Sequence, residues 1–166
     1  GGLDAGMLSD HVAATGSVVG FEGADQLAGD DIWDGECELF VPAALAGCIN
    51  EDVASRINAK VIVEAANGPT APEADPILDR RGVVVVPDIL ANAGGVTASY
   101  FEWAQGRQGY AWDEDLTAAR LRSTMEEAFI GVWAKAAQLD VSMRRAAFAL
   151  ALERVAEAIS ARGLFP

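Results

Sequence analysis

Val83 to Val86 is an apolar run with no polar position in it. A strand of that kind belongs in the middle of a sheet covered on both faces, usually a parallel one. Cys37 to Val41, stopped by Pro42, and Lys60 to Ala65 are further predicted strands, and Ser17 to Phe21 is another candidate. Between these segments the spacing becomes helical. Leu3, Met7, Leu8 and Val12 mark one face of a helix ending at Gly16, and Asn50-Glu51-Asp52 offers an N-cap and an acidic first turn to a helix through Ile57. Another helix is predicted from near Pro72, with Gly82 at its end.

Strand and helix alternate at intervals too long for hairpins, so each connection is expected to return a parallel strand. The expectation is an α/β fold with an open parallel sheet of about four strands and flanking helices. From Asp113 to Pro166 the strand signal disappears. Asp113 is placed to cap a helix carrying Leu121, Met125, Ala128 and Val132, which should end near Leu139-Asp140. Ser142 is placed to cap a second, with Phe148, Leu152, Val155 and Ile159 on one stripe and Gly163 past its end. Two long C-terminal helices therefore close the chain.

At 166 residues the chain is long enough for one domain with a full core. Its formal net charge of −13 argues against nucleic acid or an anionic membrane as partner. Ala146 to Leu152, the longest wholly apolar run, is far short of the roughly 20 residues that cross a bilayer. No basic segment followed by an apolar one stands at the start, so the expected location is cytoplasmic. Cys37 and Cys48 form no Cys-x-x-Cys pair, and the lone His11 adds too little for a metal site, so none is expected. Between Glu22 and Glu38 stand seven acidic residues and no basic one, which reads as a solvated loop and short helix, with an interaction patch as the alternative.

Candidate chemistry gathers just beyond the predicted strands. Pro42-Ala43-Ala44, Ala66-Asn67-Gly68 and Ala91-Asn92-Ala93-Gly94-Gly95 would lie on one edge of a parallel sheet, the edge where ligands bind. Gly94 and Gly95 carry no Cβ, so a flat ligand can approach the backbone and the start of the following helix, whose first turns carry Val96 and Ser99. Asn67 and Asn92 each offer an amide that both donates and accepts, which suits ribose hydroxyls and a carboxamide. Taken alone, Asn67-Gly68 reads first as a turn dipeptide, and Ser99 as a serine bonded back to its own helix. Asp88 fits a cap or brace for its own loop. No Gly-x-Gly-x-x-Gly fingerprint occurs, and the chain opens with a helix rather than a strand, so the sheet is expected to lack its first half.

Several of these segments together resemble the cofactor domain of glutamate dehydrogenases in the Glu/Leu/Phe/Val dehydrogenase family. They are Pro42 to Leu45, Glu64 to Asp75 and Pro87 to Trp103, with Gly16 to Phe21, Ala151 to Glu157 and Arg162 to Pro166 extending the likeness over nearly the whole chain. The resemblance implies a partial Rossmann-like sheet, with residues 1–166 as the carboxyl-terminal part of the cofactor-binding domain and 113–166 as its helical segment. It implies NAD or NADP as cofactor, with Ala43 or Ala44 along the ribose region, Asn67 on a ribose, and Asn92, Gly94 and Gly95 near the nicotinamide end. Val96 and Ser99 would reach the amino acid. The reaction implied is oxidative deamination of L-glutamate to 2-oxoglutarate and ammonia; leucine, phenylalanine or valine is the alternative within the family. A noncatalytic binding module is the alternative outside it. The family's proton-transfer lysines and aspartate belong to a substrate domain preceding these segments, so no catalytic residue is assigned here and the chain alone is expected to be inactive. The parent enzyme is expected to be a homo-oligomer.

Overall fold

The computed structural model describes residues 2–27 and 29–163. Residues up to Gly35 and residues from Glu36 onward form two separate units. In the first, helix α1 spans Ala5–Thr15, with the Asp4 side chain accepting from the Met7 N–H and Gly16 closing the helix in the left-handed conformation. A 3-10 turn, Asp31–Trp33, interrupts the acidic stretch.

Ser17 to Phe21 is not a strand, which corrects the expected count. Its backbone is committed locally: the Ser17 N–H donates to Thr15 Oγ1, the Val19 N–H to Ser17 Oγ, and the Phe21 N–H to the Val18 carbonyl. The Val19 carbonyl lies 3.2 Å from His11 Nε2, and the His11 ring meets Phe21 edge-on at 5.6 Å. Short hydroxyl side chains that bond the nearby backbone offer it an alternative to a ladder, and here that alternative prevails.

The second unit holds the sheet: β1 (Leu39–Phe40), β2 (Val61–Val63) and β3 (Val84–Val86), all parallel, in the order β1-β2-β3. The sheet therefore has three strands among the described residues, not about four. In register, Phe40 faces Ile62, and Ile62 faces Val85. The all-valine segment is an edge strand rather than a central one, and Val84 is exposed. An unbroken apolar run does not fix a strand's place in the order.

Helix α2 (Glu51–Arg56) and helix α3 (Asp75–Arg80) follow β1 and β2 and contact each other. Asn50 caps α2 as its position predicts, accepting from the Val53 N–H at 3.0 Å. At the other end of α2, the Arg81 guanidinium donates to the carbonyls of Ala54 and Ile57, satisfying groups a helix terminus leaves open. Ile49, Ala54, Ile57, Ile62 and Leu78 are buried within this layer.

After β3 come α4 (Asp88–Ala91), α5 (Ala93–Gln108), α6 (Glu114–Leu139) and α7 (Met143–Arg162). Asp113 caps α6, accepting from the Asp115 N–H. Ser142 precedes α7 but makes no side-chain cap bond. The α6 stripe faces inward as predicted, with Val132 buried and Leu121, Met125 and Ala128 half-buried. On α7 the faces are reversed. Met143, Ala146 and Ala147 are buried in a cluster with Leu90 and Val132, with Leu150 packed against it, while Phe148, Leu152, Val155 and Ile159 stand exposed. The predicted stripe of larger side chains is the outer face, and the smaller side chains are the ones that allow close approach to α6. No helix among the described residues is long and apolar enough to cross a membrane.

Candidate functional site: a cleft at the carboxyl ends of the strands

Because the three strands are parallel, the loops that leave them lie on one edge. Backbone bonds hold them together there. The Ala66 N–H donates to the Pro42 carbonyl at 2.9 Å, and the Gly47 N–H to the Gly68 carbonyl at 2.8 Å. A parallel bridge between Ile49 and Thr70 extends the pairing past the strands. Gly68 sits at φ 55°, a left-handed conformation that favours glycine, and this turn sends the chain from β2 toward α3.

The loops enclose an open cleft of about 630 Å³ lined by Ala43, Ala44, Ala46, Ala65, Ala66, Asn67, Asn92 and Val96. Five of the eight sequence-identified residues thus meet around one space: Ala43, Ala44, Asn67, Asn92 and Val96. Asn92 Nδ2 donates to Asn67 Oδ1 at 2.7 Å and lies 3.4 Å and 3.5 Å from the carbonyls of Ala65 and Ala66. This bond uses the carbonyl of one amide and the NH2 of the other. The groups turned to further partners are then a donor from Asn67 and an acceptor from Asn92.

Gly94 and Gly95 lie in the first turn of α5, and a Cβ built on either would meet nothing within 4 Å. Their missing side chains leave open space before the helix start, rather than relieving a clash. Ser99 takes the local alternative: its hydroxyl donates to the Gly95 carbonyl one turn back at 3.1 Å. Neither the two glycines nor Ser99 lines the cleft.

Sequence reasoning missed the ionic cluster behind these loops. Arg144, from the first turn of α7, contacts Glu64 Oε1 at 2.7 Å, Asp75 Oδ2 at 2.6 Å and Asp88 Oδ1 at 3.4 Å. Glu64 is fully buried, and its other oxygen accepts from the Asp88 N–H at 2.8 Å. Asp88 in turn accepts from the Gly68 N–H at 2.8 Å and from its own helix at Ile89, so it braces its loop as expected. Burial by itself would lower the Arg144 pKa, but hydrogen bonds to Glu64 and Asp75, with their negative charges, raise it above the ordinary arginine value. These residues are 56 to 80 positions apart, so no local pattern joins them.

Two other hollows have different chemistry. One of about 290 Å³ lies between α3, β3 and the start of α7, and another of about 450 Å³, lined by Met125, Phe129 and Ile130 among others, is almost wholly apolar. Neither brings together paired amides at the carboxyl ends of strands. No group of three or more His, Cys, Asp or Glu residues is placed to hold a metal among the described residues.

Fold and site together define an open α/β protein with a crevice beyond the carboxyl edge of a parallel sheet. The chain belongs to the Glutamate/Leucine/Phenylalanine/Valine dehydrogenase family, whose model matches residues 1–163. It is 42% identical over 99% of its length to an NAD-specific glutamate dehydrogenase of Clostridioides difficile, covering 39% of that protein. It is 46% identical to a glutamate dehydrogenase of Thermotoga maritima, over 99% of this chain and 40% of the relative. Among solved structures, it superposes on the hetero-hexameric glutamate dehydrogenase of Thermus thermophilus with a TM-score of 0.89 at 34% identity, covering 99% of this chain and 39% of that one. The chain thus spans about two fifths of the length of the curated relatives it matches.

Proposed function

We propose that this chain is the carboxyl-terminal part of the cofactor-binding domain of an NAD-dependent glutamate dehydrogenase. The observation that carries the reading is the convergence of Ala43, Ala44, Asn67, Asn92 and Val96 on one cleft at the carboxyl ends of parallel strands. The relatives named NAD-specific favour NAD over NADP.

The residues present fit such a cofactor. Alanines at positions 43 and 44 leave the cleft wall low, so a ribose can lie against the backbone. The Asn67 amide is placed to donate to a ribose hydroxyl, and the Asn92 carbonyl to accept from the carboxamide. Gly94 and Gly95 leave the start of α5 open to the nicotinamide end. When bound, the nicotinamide supplies the hydride acceptor for oxidation at the α-carbon of glutamate, giving 2-oxoglutarate and ammonia. Val96, 71% exposed, presents an apolar surface from the same wall toward the amino acid. Ser99 becomes a donor to a substrate carboxylate on exchanging its Gly95 bond for that contact. A proton-transfer group must come within hydrogen-bond reach of the reacting atom, and none of the cleft-lining side chains is acidic or basic. That group, and the rest of the substrate pocket, are assigned to the substrate domain of the parent oligomeric enzyme.

Titration of the chain with NADH, read by cofactor fluorescence, tests this directly. Asn67→Ala and Asn92→Ala should each weaken binding about two- to tenfold, the value of one hydrogen bond. Glutamate-dependent reduction of NAD by the isolated chain should be undetectable. NADH binding indifferent to both substitutions would remove the cleft from consideration, and turnover by the chain alone would remove the division of labour.

A further inference from the structure

We propose that Arg144, outside the cleft, is the residue that positions its two asparagine loops. The inference rests on reading the cleft as a cofactor site. Its basis is a continuous set of bonds from the last helix to both loops. The guanidinium reaches Glu64 at the end of β2 and Asp88 at the start of α4. Glu64 fixes the Asp88 backbone N–H with its second oxygen. Asp88 then holds the Gly68 N–H, next to Asn67 in the chain, while its carbonyl accepts from the Asn92 N–H at 3.1 Å. Both amides of the cleft are therefore one step from Asp88.

The charges explain why an arginine is needed. Three carboxylates converge on one side chain, and Glu64 among them has no exposed surface. Without a cation the two nearest to the loops repel each other, and Asp88 is free to leave Gly68. A planar guanidinium serves the three carboxylates through Nε, Nη1 and Nη2 at once. Lysine supplies the charge from one point and cannot span all three with the same geometry. Asp75 anchors the guanidinium from α3, so the orientation of Arg144 does not depend on the loops it holds.

The test compares Arg144→Gln and Arg144→Lys with Ile57→Ala, a core truncation away from the cleft, in the full chain. Amide exchange at Gly68 reads the loop, exchange at Ile62 in the central strand reads global stability separately, and NADH titration reads the cleft. Arg144→Gln should speed Gly68 exchange about tenfold or more and weaken NADH binding about fourfold to a hundredfold, the loss of both amide contacts together. Arg144→Lys should recover part of both. Ile57→Ala should lower overall stability and speed Ile62 exchange, while leaving Gly68 exchange and NADH binding as in the wild type. Wild-type Gly68 exchange in Arg144→Gln overturns the proposal, as does Ile57→Ala reproducing its effects. Weakened NADH binding without altered exchange also overturns it, because Arg144 would then touch the ligand itself. If the wild-type chain binds no NADH, the cofactor reading fails instead, and Gly68 exchange still decides whether Arg144 holds the loop.

Discussion

Glu64→Gln removes one negative charge from a site with no solvent while keeping nearly the same shape. Glu64 gives one oxygen to Arg144 at 2.7 Å and the other to the Asp88 N–H at 2.8 Å. Glutamine has one acceptor for these two donors, and its NH2 must face one of them. Breaking one partner of a buried ion pair costs about 3–5 kcal/mol. The lower end applies, because Arg144 keeps Asp75 and Asp88, whose side chains are 32% and 24% exposed. The expected loss is about 3 kcal/mol, or roughly 1.5 M in urea midpoint at an m-value of about 2 kcal/mol/M. In thermal melts it corresponds to about 6–12 °C, from about 2–4 °C per kcal/mol for a chain of this size. A double-mutant cycle with Arg144→Met isolates the pair, and its coupling energy should be about 2 kcal/mol. Denaturation followed by circular dichroism supplies all four stabilities. A coupling below about 0.5 kcal/mol, the additivity expected of independent sites, refutes the assignment of this cluster as the tie between α7 and the sheet.

The remaining predictions are smaller. A raised arginine pKa gives stability that is complete below the unfolded value and lost only as pH rises through the folded one, so the Arg144 contribution should be the same at about pH 6 and pH 9; a loss for Arg144→Met that differs between those pH values contradicts this. Leu78→Ala, at a fully buried position, should cost about 2–5 kcal/mol by urea denaturation. Leu152→Ala, at 67% exposure, should stay within about 0.5 kcal/mol, and a large loss there would mean that the outer face of α7 is covered. Gly68→Ala should cost about 1–2 kcal/mol from its left-handed backbone alone, since a Cβ there meets nothing within 4 Å; a neutral result would show that the turn rearranges.

Much of this architecture was legible because its determinants are local. Asn50 and Asp113 cap helices where their spacing to the apolar positions places them, and Pro42 lies just beyond β1. Strand-end chemistry was legible for a related reason: parallel strands put their carboxyl ends together, so Ala43, Asn67 and Asn92 had to share an edge once the alternation of strand and helix was recognised. Ser17 to Phe21 failed because apolar content does not reveal competition from Thr15, Ser17 and His11 for the same backbone groups. Strand order, and the burial of the small-residue face of α7 instead of its predicted stripe, depend on what packs where, which periodicity does not carry. Arg144 could not be paired from spacing, because its carboxylates arrive from three elements far away in the chain.

Amide and side-chain NMR shifts on adding NADH to the chain decide whether the strand-end cleft is the cofactor site. Binding there should give the largest perturbations at the side-chain amides of Asn67 and Asn92 and the backbone N–H groups of Gly94 and Gly95. Perturbations centred instead on Met125, Phe129 and Ile130 around the apolar groove, with the two asparagines unmoved, would contradict it.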